Sequence, residues 1–268
     1  MSYNIENVAK QQIFVAAYHG SFPEKGFEMA CALAEKYSKQ VCFLGLTGKG
    51  EDGSAYSAAF QKWVEQRGAS SVVPLNHLVV GYEEFSDVME DTEAAMIVFE
   101  IMPDSPYRKV RPLLELCRQL RIPYFFVKEG QRIALNKVLV PVGFLNEERE
   151  KGPFSSSFGR FFKAEIYLMP AKDYGSRARQ NTDAIKTLLE KSKTKYHEVE
   201  AKKDSFKVEM EAVKRQEELQ ADLLMISASR DYGIDDIIFG PKEEKIVKKS
   251  TIPVMVINPR KDLYALCG

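Results

Sequence analysis

Ile252-Pro253-Val254-Met255-Val256-Ile257 repeats in kind Ile122-Pro123-Tyr124-Phe125-Phe126-Val127, which lies about 130 residues earlier. Each stretch opens with Ile-Pro and continues in apolar, mostly β-branched or aromatic residues, the pattern of a buried strand. Proline at the start of a strand sacrifices a donor where the ladder needs it least. Just upstream, Ala221-Asp222-Leu223-Leu224-Met225-Ile226 answers Ala94-Ala95-Met96-Ile97-Val98-Phe99 at nearly the same offset. Two matched strands in the same order imply one domain written twice.

Working outward, short apolar runs alternate with amphipathic helical patterns along the whole chain, which predicts βαβ units and parallel sheets. Strands are expected at 12–18, 40–46, 71–75, 94–101 and 123–127, then at 137–142, 165–169, 195–199, 222–227 and 253–257. Helices are expected near 24–38, 54–67, 82–91 and 107–120, then near 146–162, 178–193, 205–219 and 241–250. The polar stretch Glu129-Gly130-Gln131-Arg132 sets the boundary, giving domains at 1–130 and 131–268. An apolar edge strand must be paired or covered. The strands at 123–127 and 253–257 are therefore expected to meet across a pseudo-twofold axis, as an internal pseudo-dimer.

The composition fits this class. The chain has 268 residues, 45% hydrophobic and 28% charged, with 38 Lys plus Arg against 38 Asp plus Glu. That length suits two cores. A zero net charge leaves no electrostatic footprint for nucleic acid or an anionic membrane. No apolar run approaches the roughly 18 residues of a membrane span. Met1-Ser2-Tyr3-Asn4 carries no signal-peptide pattern. Cys31, Cys42, Cys117 and Cys267 lie far apart, with no Cys-x-x-Cys spacing for zinc or redox work. A cytoplasmic protein is expected, with no metal site and no catalytic group. Its association state, monomer or homodimer, is open.

The second half resembles the universal stress protein family of the UspA type. The resemblance rests on Lys137-Val138-Leu139-Val140-Pro141-Val142, on Phe162-Lys163-Ala164-Glu165-Ile166-Tyr167-Leu168, on the stretch from Ala212 to Ser227, and on Ile252–Ile257. The first half carries it mainly through element order and its last strand. The resemblance implies two tandem Rossmann-like domains of the adenine nucleotide alpha hydrolase type. Each has a five-stranded parallel sheet flanked by helices. Many members bind ATP through an Asp ending the first strand and a motif after the fourth. That motif is Gly, two residues, Gly, nine residues, Gly, then Ser or Thr. Glycine lets the backbone approach phosphates, and N–H groups at a helix start favour anions.

Here the motif is eroded. The Asp position holds Gly143, and the motif positions hold Ser227, Arg230, Gly240 and Pro241. Proline supplies neither N–H nor hydroxyl, and Asp231, Asp235 and Asp236 add negative charge. The resemblance therefore implies a stress-response or regulatory protein, non-enzymatic and with weak or no ATP binding, acting through protein partners or another small ligand. An alternative retains ATP or AMP, with Mg or Mn, on Ser227, Ser229, Arg230, Gly233 and Gly240. Arg230 would then grip phosphate bidentately. A third reading is a hydrolase-type enzyme using His19-Gly20-Ser21 at the first strand-to-helix turn. The plainer reading of that turn is a polar cap for the helix near Glu24. His77 reads as part of a polar turn. Glu147-Glu148-Arg149-Glu150-Lys151 reads as a solvated helix start, and Glu243-Glu244 as adjacent carboxylates without a shared site. Ser155-Ser156-Ser157 reads as a capped helix break or a phosphorylation target.

Overall fold

The computed structural model describes residues 10–17, 21–48, 51–68, 71–102, 109–229 and 241–259. The chain divides into two compact units, Met1–Gly130 and Gln131–Gly268. In the first unit the elements run β1 (Ile13–Ala17), α1 (Glu24–Tyr37), β2 (Val41–Thr47), α2 (Ser54–Gly68) and β3 (Leu75–Gly81). They continue with α3 (Phe85–Asp91), β4 (Met96–Ile101), α4 (Val110–Cys117) and β5 (Tyr124–Lys128). In the second unit they run β6 (Lys137–Val142), α5 (Lys151–Phe162), β7 (Glu165–Pro170), α6 (Arg177–Lys191) and β8 (Tyr196–Glu198). After these come α7 (Val208–Arg215), β9 (Leu223–Ser227), α8 (Lys242–Lys249) and β10 (Val254–Ile257).

Both units use one topology. The first orders its strands β3-β2-β1-β4-β5, the second β8-β7-β6-β9-β10. The pairs within each unit are parallel. Parallel sheets are covered on both faces, which is why β1, β2 and β9 are buried along their whole length. The strand order reverses between β1 and β4, and again between β6 and β9. A crevice opens beyond the carboxyl ends of the strands at such a point.

The third strand departs from expectation. Val72-Val73 was read as its heart, but Val72 is 76% exposed, and Ser71 folds back on Val73 through its hydroxyl. Pro74 marks the true start. Its carbonyl accepts the Val41 N–H, and Leu75 then pairs with Val41 and Gly81 with Thr47. His77 therefore lies in β3, not in a turn. It is half-buried, 6.4 Å from the Phe60 ring, and burial lowers its pKa. The ring stripe expected on α2 is present, with Tyr56 and Trp63 both within about 6 Å of Phe60.

The expected break in α5 is absent. The helix runs unbroken through Ser155-Ser156-Ser157, with Pro153 in its first turn, where a missing N–H is harmless. Ser155 is buried, its hydroxyl 3.8 Å from Met225 Sδ. At the outer edge of the second unit β8 spans only three residues. Its Glu198 is held by Arg179 and Lys186.

Gly159 on α5 faces Thr194, and a Cβ there would lie 2.0 Å from Thr194 Cγ2. Gly→Ala inside a helix ordinarily stabilises by about 1 kcal/mol. Here Gly159→Ala should instead destabilise by about 1–3 kcal/mol through overpacking. Urea unfolding should show the loss, and adding Thr194→Ala should recover part of it.

Candidate functional site

β6 delivers Gly143 to the carboxyl end of the second sheet, and β9 delivers Ser227, Ala228 and Ser229 beside it. The Gly143 N–H donates to Glu148 Oε2 at 2.8 Å. The Phe144 N–H donates to Ser205 Oγ at 2.9 Å, and Ser205 gives its own N–H and hydroxyl to Asp173 at 2.9 and 2.5 Å. Asn181, buried on α6, donates to the carbonyls of Gly143 and Leu145 and accepts from Arg149 Nε. A Cβ on Gly143 would sit 3.3 Å from Ser205 Oγ and 3.8 Å from Glu148 Cδ. An acidic side chain at position 143 would run into groups already placed there.

The centre of the site is charged and buried, and here the sequence reading needs correcting. Glu148 and Lys151 were expected to be solvated. Instead Lys151 is 0% exposed and Glu147 and Glu148 are buried. The reason is position: this segment turns directly off the end of β6 and points back at it. Lys151 Nζ donates to the Pro141 carbonyl at 2.6 Å and to Glu148 Oε2 at 2.8 Å. It also lies 3.9 Å from Glu209 Oε1 on α7. Glu209 in turn holds Lys242 Nζ of α8 at 2.8 Å, with the Lys242 side chain 42% exposed at the rim.

Glu243, read from the sequence as an adjacent carboxylate without a shared site, is fully buried and accepts the Ser229 N–H. Its Oε2 and Glu209 Oε1 have no hydrogen-bond partner. Burial raises the pKa of Glu243, against the pull of Lys242. For Glu148, burial also works upward, but Lys151, Lys242 and the Gly143 N–H outweigh it and hold the carboxyl below its ordinary range. Lys242 is pushed up, because Glu209, Glu243 and Glu148 outweigh desolvation.

Beyond Phe144 an open crevice of about 420 Å³ is lined by Phe144, Asp173, Gly175, Ser176 and Arg177. Exposed Phe206 packs edge-on to Phe144 at 5.6 Å. Among the described residues no group of three His, Cys, Asp or Glu converges as a metal site.

The equivalent end of the first sheet is simpler. Glu100, buried at the end of β4, accepts the Gly26 N–H at 2.8 Å. Burial raises its pKa, and the Gly26 and Lys25 N–H groups oppose the shift. Glu100 thus occupies the start of α1, where the residue before the helix, Pro23, makes no side-chain cap. Of the turn read as a polar cap, Ser21 is described and is exposed. His19 and Gly20 lie outside the described residues, as do Arg230, Gly233 and Gly240. Of the residues read from the sequence, Gly143, Ser227 and Ser229 come together. Ser227 is buried at the end of β9 and Ser229 is tied to Glu243.

Residues 162–258 match the model of the Universal stress protein family. That stretch of the second unit is similar to a universal stress protein domain. The chain's fold is shared with a universal stress protein from Archaeoglobus fulgidus DSM 4304, with a TM-score of 0.71 at 13% identity, covering 94% of this chain and 98% of the other. A provisionally named universal stress protein from Pseudomonas aeruginosa UCBPP-PA14 aligns with a TM-score of 0.68 at 15% identity, covering 96% of each chain. A protein of unknown function from Pseudomonas aeruginosa PAO1 aligns at 0.67 and 16% identity, covering 98% of this chain and 97% of the other. No curated protein sequence matches the chain. No helix among the described residues is long and apolar enough to cross a membrane.

The charged centre of the second unit is open to a direct test. Lys151→Met leaves Glu148 and Glu209 without their buried cation and should cost about 3–5 kcal/mol in urea unfolding. The pH dependence has a definite sign. The folded-state pKa of Glu148 is lowered, so its stabilisation is present above the unfolded value near 4.5 and lost as pH falls through the folded value. Glu148→Gln should therefore flatten the acid limb of a stability-against-pH curve.

Proposed function

We propose that this chain is a universal stress protein-like regulatory protein whose strand-end sites are closed to nucleotide phosphates by its own carboxylates. It would act through protein contacts or through a small ligand without phosphates. The observation that carries this reading is the use of the N–H donors. Among the described residues, Gly143 and Ser229 present backbone donors at these strand ends, and both are already given to Glu148 and Glu243. In the first unit Glu100 takes the Gly26 N–H in the same way. A phosphate placed there would have to displace buried carboxylates and then lie beside Glu209, a like-charge contact in a poorly solvated place.

A second reading, with ATP or AMP and Mg or Mn in the second unit, draws support from Lys151 and Lys242, which bring two ammonium groups to this end of the sheet. The crevice of about 420 Å³ is also of small-ligand size. Against it, Lys151 is saturated by Pro141 and Glu148, and Lys242 is paired with Glu209.

A thermal-shift titration with ATP, ADP and AMP, with and without Mg or Mn, separates the two. A ligand bound at about 1 μM and supplied at 1 mM would add about 4 kcal/mol, which is several degrees in melting temperature. No shift is expected. A clear, saturable shift would overturn the closed-site reading in favour of the nucleotide one.

A further inference from the structure

The buried cluster at the end of β6 and β9 does not balance in charge. Three carboxylates, Glu148, Glu209 and Glu243, face two ammonium groups, Lys151 and Lys242. They come from four elements packed there: Glu148 from the turn after β6, Lys151 from α5, Glu209 from α7, and Lys242 and Glu243 from α8; α6 adds the uncharged Asn181. Each cation is already committed. Lys151 serves Glu148, with Glu209 at 3.9 Å, and Lys242 serves Glu209 at 2.8 Å. No cation lies in ion-pair contact with Glu243 among the described residues. One of its oxygens takes the Ser229 N–H, and the other has no hydrogen-bond partner although the side chain is fully buried.

An isolated buried carboxylate is far more costly than a neutral carboxyl in the same place. A neutral carboxyl still accepts the Ser229 N–H through its carbonyl oxygen, so the tie to β9 survives protonation. With one proton aboard, two negative charges meet two positive ones.

We propose that the cluster stores one proton at neutral pH, on Glu243, and that this proton makes the junction of β9 with α8 a pH-sensitive latch. The inference rests on the reading that carboxylates, not a phosphate, fill these strand ends. Loss of the proton at alkaline pH leaves one uncompensated negative charge in a buried site. The charge is relieved when the first turn of α8 leaves the end of β9.

The test is infrared spectroscopy of the full chain at pH 7. A carbonyl band of a protonated carboxyl is expected, sensitive to D2O, absent in Glu243→Gln, and titrating away as pH rises. Glu209→Gln is the second arm. It removes a competing negative charge and restores the balance with Glu243 ionised, so the band should vanish at neutral pH there too.

Stability provides a readout that requires no spectral assignment. The wild type should lose stability relative to Glu243→Gln as pH rises from about 4.5 to the folded-state value of Glu243, and the difference should then level off. Absence of the band at pH 7, or a band indifferent to both substitutions, would overturn the proposal. A nucleotide-induced thermal shift with the band intact would instead overturn the closed-site reading and leave the stored proton standing.

Discussion

A lysine with no exposed surface constrains everything around it. Lys151 can keep its charge only where acceptors surround the ammonium group, and it finds them in the Pro141 carbonyl, Glu148 and Glu209. Those acceptors belong to β6, to the turn after it and to α7. Glu209 then passes the constraint to α8 through Lys242. One buried cation thus aligns three helical elements on the carboxyl ends of two strands. An apolar cluster of the same volume would hold them as firmly or more so, but it would not dictate which donors and acceptors face the crevice.

The two units solve the same problem at different expense. At the carboxyl ends of both sheets, described backbone N–H groups meet carboxylates, an arrangement that suits an anion. The first unit satisfies the start of α1 with the single carboxylate of Glu100. The second uses Glu148 and Glu243 on two separate turns, and then needs Lys151 and Lys242 to support them. In both, the anion is supplied by the chain.

The duplication and the succession of strands along the chain were readable because the Ile-Pro openings and their apolar runs occur twice in the same sequence context. β3 was misplaced because Val72-Val73 looks more strand-like than Leu75-Asn76-His77-Leu78. Nothing local reveals that β2 pairs with the stretch beyond Pro74. The erosion at Gly143 was visible, but its reason was not. Only in three dimensions do Ser205 and Glu148 come to stand where a side chain would go. Glu148 and Lys151 were hidden for a different reason. A run of charges has the same periodicity whether it faces water or turns back on a strand end. The available signal was its place, immediately after a first strand, with the acid three residues before the lysine.

β8 is short and polar, with Tyr196, His197 and Glu198 its only residues, and its neighbours spend Arg179 and Lys186 on Glu198. A sheet edge with three residues and a cluster of hydrated charges offers little template for another strand. At that margin of the second unit, recruitment of a stray chain and the growth of fibrils are discouraged by brevity and hydration. That edge is therefore a poor seed for the addition of a foreign strand.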